Sequence, residues 1–144
     1  MPTDSRDPVF LDTSVVMYAA GGEHPLRDPC RDALRSIVAA DVPLVTSAEV
    51  LQEILHRYFS IGRPADGAAV FQSTREICTR VHAVEEPDAV RALEILLRYP
   101  KLSPRDAIHC AVAERIGIER ILSTDTDFDA VETLTRVDPS DLGS

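Results

Sequence analysis

Short apolar runs alternate along this chain with longer stretches whose apolar residues return every three or four positions. Val9-Phe10-Leu11, Pro43-Leu44-Val45-Thr46 and Arg120-Ile121-Leu122-Ser123-Thr124 are too short for helices and read as strands. Residues 81–84 add a strand, and 134–137 a fifth. Between them the spacing predicts helices over 13–20, 29–40, 47–60 and 66–78, then from Pro87 to just before Pro100, and from Ser103-Pro104 to Gly117. Val50, Leu51, Ile54, Leu55 and Tyr58 fall on one face of the third helix, and Ala89, Val90, Leu93, Leu96 and Leu97 form a stripe on the fifth. Asp28-Pro29 and Ser103-Pro104 read as caps followed by proline at the first helical position. The segment 62–67, with glycine at both ends and Pro64 inside, reads as a turn. Strands alternating with helices predict an α/β fold, a short parallel sheet of four or five strands flanked by helices. The 144 residues fit one domain, with a core over about 8–137 and loose termini, the tail beginning at Asp138.

Composition narrows the class. Apolar residues make up 44% and charged residues 27%, which excludes disorder, collagen and coiled coil as descriptions of the whole chain. No apolar run approaches the roughly 18 residues of a membrane span, and Met1 to Pro8 lack a signal core, so the expected location is the cytoplasm. Cys30, Cys78 and Cys110 form no paired motif and read as buried, reduced thiols. With 15 basic and 24 acidic residues the formal charge is −9, unlike a simple nucleic-acid coat. A protein of this charge that acts on nucleic acid needs a local offset.

The acidic residues supply the candidate chemistry. Asp12 ends the first strand; Asp125 follows the fourth, with Asp127 two residues on. Glu49 and Asp106 lie in the first turns of their helices. In an open parallel sheet, strand ends and the helix starts that follow them share one edge, where ligands bind. Carboxylates gathered there repel unless a divalent cation joins them, and an all-oxygen set favours Mg²⁺ or Mn²⁺ over Zn²⁺. Each residue also has a plainer reading. Thr46-x-x-Glu49 and Ser103-x-x-Asp106 resemble capping pairs, Asp12 could cap the first helix, and Asp125 to Asp129 could be a solvated turn. A calcium loop is excluded, because Ala130 stands where glycine is needed and Arg136 where the bidentate glutamate belongs. No phosphate-binding glycine motif is present. His24, His56, His82 and His109 show no metal spacing; His109, three residues after Asp106, reads as a packed or supporting histidine.

FLDTSVVMYA, SAEVLQEIL, LSPRDAIHCAVAE and ILSTDTDFD, in this order, resemble the PIN-domain ribonucleases over about residues 8–130, and most closely the VapC-type toxins of bacterial toxin–antitoxin pairs. The resemblance implies a metal-dependent endoribonuclease that hydrolyses RNA with a metal-activated water. It places the family's acidic positions on Asp12, Glu49, Asp106 and Asp125, with Asp127 as a further metal ligand and Ser14 as a supporting residue; Glu53 is a weaker match one turn after Glu49. It also implies Mg²⁺ or Mn²⁺ as cofactor, RNA as substrate, a cognate antitoxin as partner and a homodimer. For the dimer, Leu51, Leu55, Phe59 and Phe71 supply apolar helical surface beyond what one small sheet needs. Three alternatives remain at this point. Asp125-Thr126-Asp127 could belong to a HAD-type phosphatase, a strand-end aspartate could belong to a receiver domain, and the fold could survive as an inactive binding module.

Overall fold

The computed structural model describes residues 6–142. The central strand β1 (Val9–Leu11) is buried along its whole length, as a strand covered on both faces must be. The chain continues through α1 (Thr13–Ala20), α2 (Arg27–Ala39), β2 (Leu44–Ser47), α3 (Ala48–Ser60), α4 (Pro64–Ile77), β3 (Arg80–His82), α5 (Glu86–Arg98), α6 (Pro104–Arg115), β4 (Arg120–Leu122) and β5 (Thr135–Val137). These five strands are parallel, in the order β3-β2-β1-β4-β5. Phe10 stands opposite Val45 on one side and Ile121 on the other. The order reverses at β1, so the gap between the C-terminal ends of β1 and β4 is the switch point where such sheets bind ligands. Phe10, Leu11, Leu44, Ile54, Ile121, Leu122 and Phe128 fill the core and are fully buried. Among the described residues no helix is long and apolar enough to cross a membrane. All three cysteines are free and buried, and burial pushes the Cys78 and Cys110 thiols up to about 12.

Several local expectations are corrected. Helix α2 starts at Arg27, not after an Asp28 cap; Leu26 holds the cap position without a side-chain bond, and Asp28 lies in the first turn near the positive end of the helix dipole. Helix α4 starts at Pro64, inside the expected 62–67 turn and two residues before the expected start at 66, and it includes Gly67. A Cβ there would lie 2.7 Å from the Tyr58 Cβ, so the missing side chain lets α4 close onto α3. Of the stripe read on α5, Ala89, Val90, Leu93 and Leu97 are exposed and Leu96 packs against the core, while Asp88, Ala92 and Ile95 face inward. The tail at Asp138 is not loose: Pro139–Asp141 forms a 3-10 turn packed against α2, with Pro139 buried. Residues 1–5 and 143–144, also expected to be loose, lie outside the described residues.

Candidate functional site

Asp12 ends β1 with an extended backbone at the N-cap of α1, yet its carboxylate caps nothing. It is buried, and both Ser14 Oγ (2.8 Å) and Ser123 Oγ (2.6 Å) donate to its Oδ2. Ser123 follows β4 across the switch point, so the hydroxyl pair joins the two strand ends through one oxygen. Ser123 Oγ also accepts from the Asp125 N–H at 3.0 Å, and Ser14 Oγ from the Thr124 N–H at 3.3 Å, which fixes the chain after β4.

Helix α6 brings in the next groups. Ser103 caps it by accepting from the Asp106 N–H at 3.1 Å, so the capping half of the plainer reading holds for Ser103. The Asp106 carboxyl itself faces Asp12 and Asp125. Burial, and then the charges of Asp12 and Asp125, push it up to about 7, against the pull of His109. One turn along α6, His109 is wholly buried. Its Nε2 lies 2.8 Å from Glu53 Oε1 and 3.7 Å from Asp12 Oδ1, and its ring tilts against Phe10 at 5.5 Å. An ionised Glu53 can only accept, so Nε2 carries the shared proton. Nδ1 has no partner among the described residues. Burial disfavours the imidazolium, but the Glu53 hydrogen bond and the Asp12 and Asp106 charges outweigh it and raise the His109 pKa.

Asp12, Asp106 and His109 each place one possible ligand atom within 4.8 Å of the other two. The donor set fits a hard divalent cation. Two acidic groups face each other in a largely buried site, the Asp12 hydroxyl bonds fall on Oδ2, and Asp125 adjoins.

The remaining predicted residues divide. Asp125 adjoins Asp106, but its Oδ1 also accepts from the Asp127 N–H at 2.9 Å and caps a 3-10 turn over Thr126–Ala130. No hydrogen bond or ion pair of the Asp127 carboxylate is seen among the described residues, and Asp127 is not brought into the cluster. Asp129 turns away to pair with Arg136. Glu49 is also outside the cluster. The capping pair read at Thr46 and Glu49 is absent: Ser47 is the cap and accepts from the Glu49 N–H, while Thr46 Oγ1 donates to the Leu11 carbonyl. The Glu49 carboxyl is half-buried and makes no bond of its own among the described residues. Burial raises its pKa; His109 and Arg105 lower it, and Glu53 adds to the rise. Glu53, read as the weaker match, is instead bonded into the site. The signal that could have found it was its i, i+4 spacing from Glu49, which leaves the two on one helix face. Nothing in the residue types alone linked His109 to Glu53.

A five-stranded parallel α/β domain with a buried carboxylate cluster at its switch point defines the class. The PIN domain model matches residues 9–134, and the chain belongs to the PIN-domain family. A VapC ribonuclease of Mycobacterium bovis is 36% identical over 90% of this chain and 98% of its own length. Ribonuclease VapC23 of Mycobacterium tuberculosis is 38% identical over 81% of this chain and 92% of its own. Among solved structures, VapC20 of Mycobacterium tuberculosis, a sarcin-ricin loop cleaving toxin, shares the fold with TM-score 0.70 at 23% identity, covering 86% of this chain and 95% of that one. VapBC2 of Rickettsia felis, bound to a DNA fragment from its promoter, gives TM-score 0.72 at 13% identity, covering 90% and 97%. These relationships favour the ribonuclease reading over a HAD phosphatase or a receiver domain.

Proposed function

We propose that this protein is a metal-dependent endoribonuclease that serves as the toxin of a toxin–antitoxin pair in the cytoplasm, with its chain acting as one domain. The observation that carries the reading is the approach of Asp12, Asp106 and His109 at the switch point, with Asp125 near Asp106. Asp12, Asp106 and Asp125 would hold the cation, Mg²⁺ or Mn²⁺, with Glu49 and Asp127 available at the edges. A bound cation of this kind supplies an activated water and offsets charge on the attacked phosphate. Ser14 and Ser123 hold Asp12 in place, and His109 holds Glu53 beside it. The filled acidic positions speak against an inactive binding module. The ribonuclease names of the relatives support RNA as substrate, and a solved toxin–antitoxin complex of Klebsiella pneumoniae with the same fold supports an antitoxin as partner.

The test is cleavage of a mixed RNA substrate with Mg²⁺ or Mn²⁺, with EDTA, and of p-nitrophenyl phosphate in parallel. Cleavage of RNA that needs the cation, with no phosphatase activity, is the expected result. Full RNA cleavage by protein shown to be metal-free by elemental analysis would refute the mechanism.

A further inference from the structure

A groove of about 650 Å³ lies beside the carboxylate cluster, between α1, α3 and the start of α6. Ser14 and Glu53 line its inner end, and both belong to the site: Ser14 donates to Asp12, and Glu53 is bonded to His109. Away from the site the lining changes sign. Arg57, Arg63 and Arg105 face the groove together with His56. This is a local reversal in a chain whose formal charge is −9. Arg57 has no ion pair among the described residues. Arg63 pairs with Asp66, and both side chains are more than half exposed, so water screens that pair. Arg105 stands 4.0 Å from Glu53, where the positive wall meets the acidic site. Tyr18 also lines the groove, with one side of its ring tilted against His24 at 4.7 Å.

We propose that this groove binds the RNA strand next to the scissile bond, with Arg57 and Arg63 holding its phosphates and Tyr18 facing a base; the proposal rests on the ribonuclease reading. Arginine forks recognise phosphate oxygens, and an aromatic face stacks on an unpaired base whatever its identity. The volume is that of a small-ligand pocket, which suits a few single-stranded nucleotides and cannot enclose a duplex. The groove also supplies the local offset that an acidic nuclease requires. A neighbouring cavity of about 680 Å³ between α1, α2 and α4 is mostly apolar; Arg63 stands between the two and lines both, and Arg35 is the other cation lining that cavity among the described residues.

The experiment uses the wild type, Arg57→Ala, Arg63→Ala, their Lys counterparts and the double Ala variant. Cleavage of a single-stranded RNA is measured with Mn²⁺, and fluorescence anisotropy gives the affinity for the same RNA in EDTA at several salt concentrations. Each Ala variant should raise KM and weaken binding about tenfold while kcat stays close to wild type. The salt dependence of log K should flatten by about 0.7 for each phosphate that the variant no longer neutralises, and Lys should restore most of it. Mn²⁺ affinity and Tm should not move, which separates weaker phosphate binding from misfolding. If the wild type cleaves RNA and the Ala variants match it in KM and in salt dependence, the groove proposal is overturned and a protein partner becomes the groove's occupant. If the wild type neither cleaves nor binds RNA, the ribonuclease reading falls, and this proposal with it.

Discussion

At the scale of single residues, the site is organised by where hydrogen bonds leave each carboxylate. Asp12 is held through Oδ2 by two serines, whereas Glu53 is held by a histidine with no exposure to water. This makes Glu53 a stronger partner of the site than Glu49, whose carboxylate has no bonded partner among the described residues. Glu53→Gln should therefore lower metal-dependent cleavage by roughly 10², and Glu49→Gln by clearly less, in single-turnover assays. Equal losses would return Glu49 to an equal role. Asp106 gives a pH test. Its carboxyl is raised in the folded protein to about 7, so between about pH 4 and 7 the folded state binds more protons than the unfolded chain. Its contribution to the stability of metal-free protein is present at low pH and is lost as pH rises through that window. Tm of the metal-free protein should show this decline, Asp106→Asn should flatten it, and Mn²⁺ should reverse it. A metal-free Tm unaffected by Asp106→Asn across this range would contradict the crowding of carboxyls at the site.

At the scale of elements, helix starts position the chemistry, and one helix shows how a charged residue replaces an apolar stripe. Ser47 and Ser103 cap α3 and α6 by accepting from the Glu49 and Asp106 N–H groups, and of the two acidic residues Asp106 joins the cluster. In α5 the side-chain cap comes from Asp88, whose Oδ2 accepts from the Glu85 N–H at 2.9 Å, while the Asp88 N–H donates to the Glu85 backbone carbonyl. Asp88 is nevertheless buried, because Arg115 from α6 donates to both of its oxygens at 2.7 and 3.0 Å. The Arg115 hydrogen bond holds the Asp88 carboxyl below its ordinary range, against the effect of burial. Asp88→Ala removes the cap and the tie between α5 and α6 together, and should cost about 2 kcal/mol in denaturant unfolding at neutral pH. The depressed pKa means that this stability is present above the ordinary carboxylate value and is lost as pH falls through the folded one. The gap between wild type and variant should therefore narrow in acid. A loss below a few tenths of a kcal/mol would show the pair to be ornamental.

For the whole molecule, the sheet order and the exposed helix faces carry the remaining consequences. Val90, Leu93 and Leu97 on α5, with Leu55 and Phe59 on α3, are more than 40% exposed. Leu51 and Phe71, expected to contribute to a dimer surface, are instead packed against the core. The exposed set still suits a homodimer, and sedimentation at tens of micromolar should give about twice the chain mass of 15.8 kDa. A monomer under those conditions would reject the dimer.

The sequence by itself determined the class of fold. Five strand runs and six helices were legible because period 2 or continuous burial in strands and period 3.6 in helices are local properties of residue order. Proline and serine marked the start of α6, and the strand-end aspartates could be placed on one edge without coordinates. Sequence could not decide which face of α5 is inward, since that depends on Arg115, 27 residues away, satisfying a buried Asp88. Nor could it separate Glu49 from Glu53. The two are a turn apart on one helix, and only the fold brings Glu53 to His109, 56 residues along the chain, while leaving Glu49 without such a partner. Local preference sets the elements; the roles of their side chains follow from which distant polar groups must be satisfied when water is excluded.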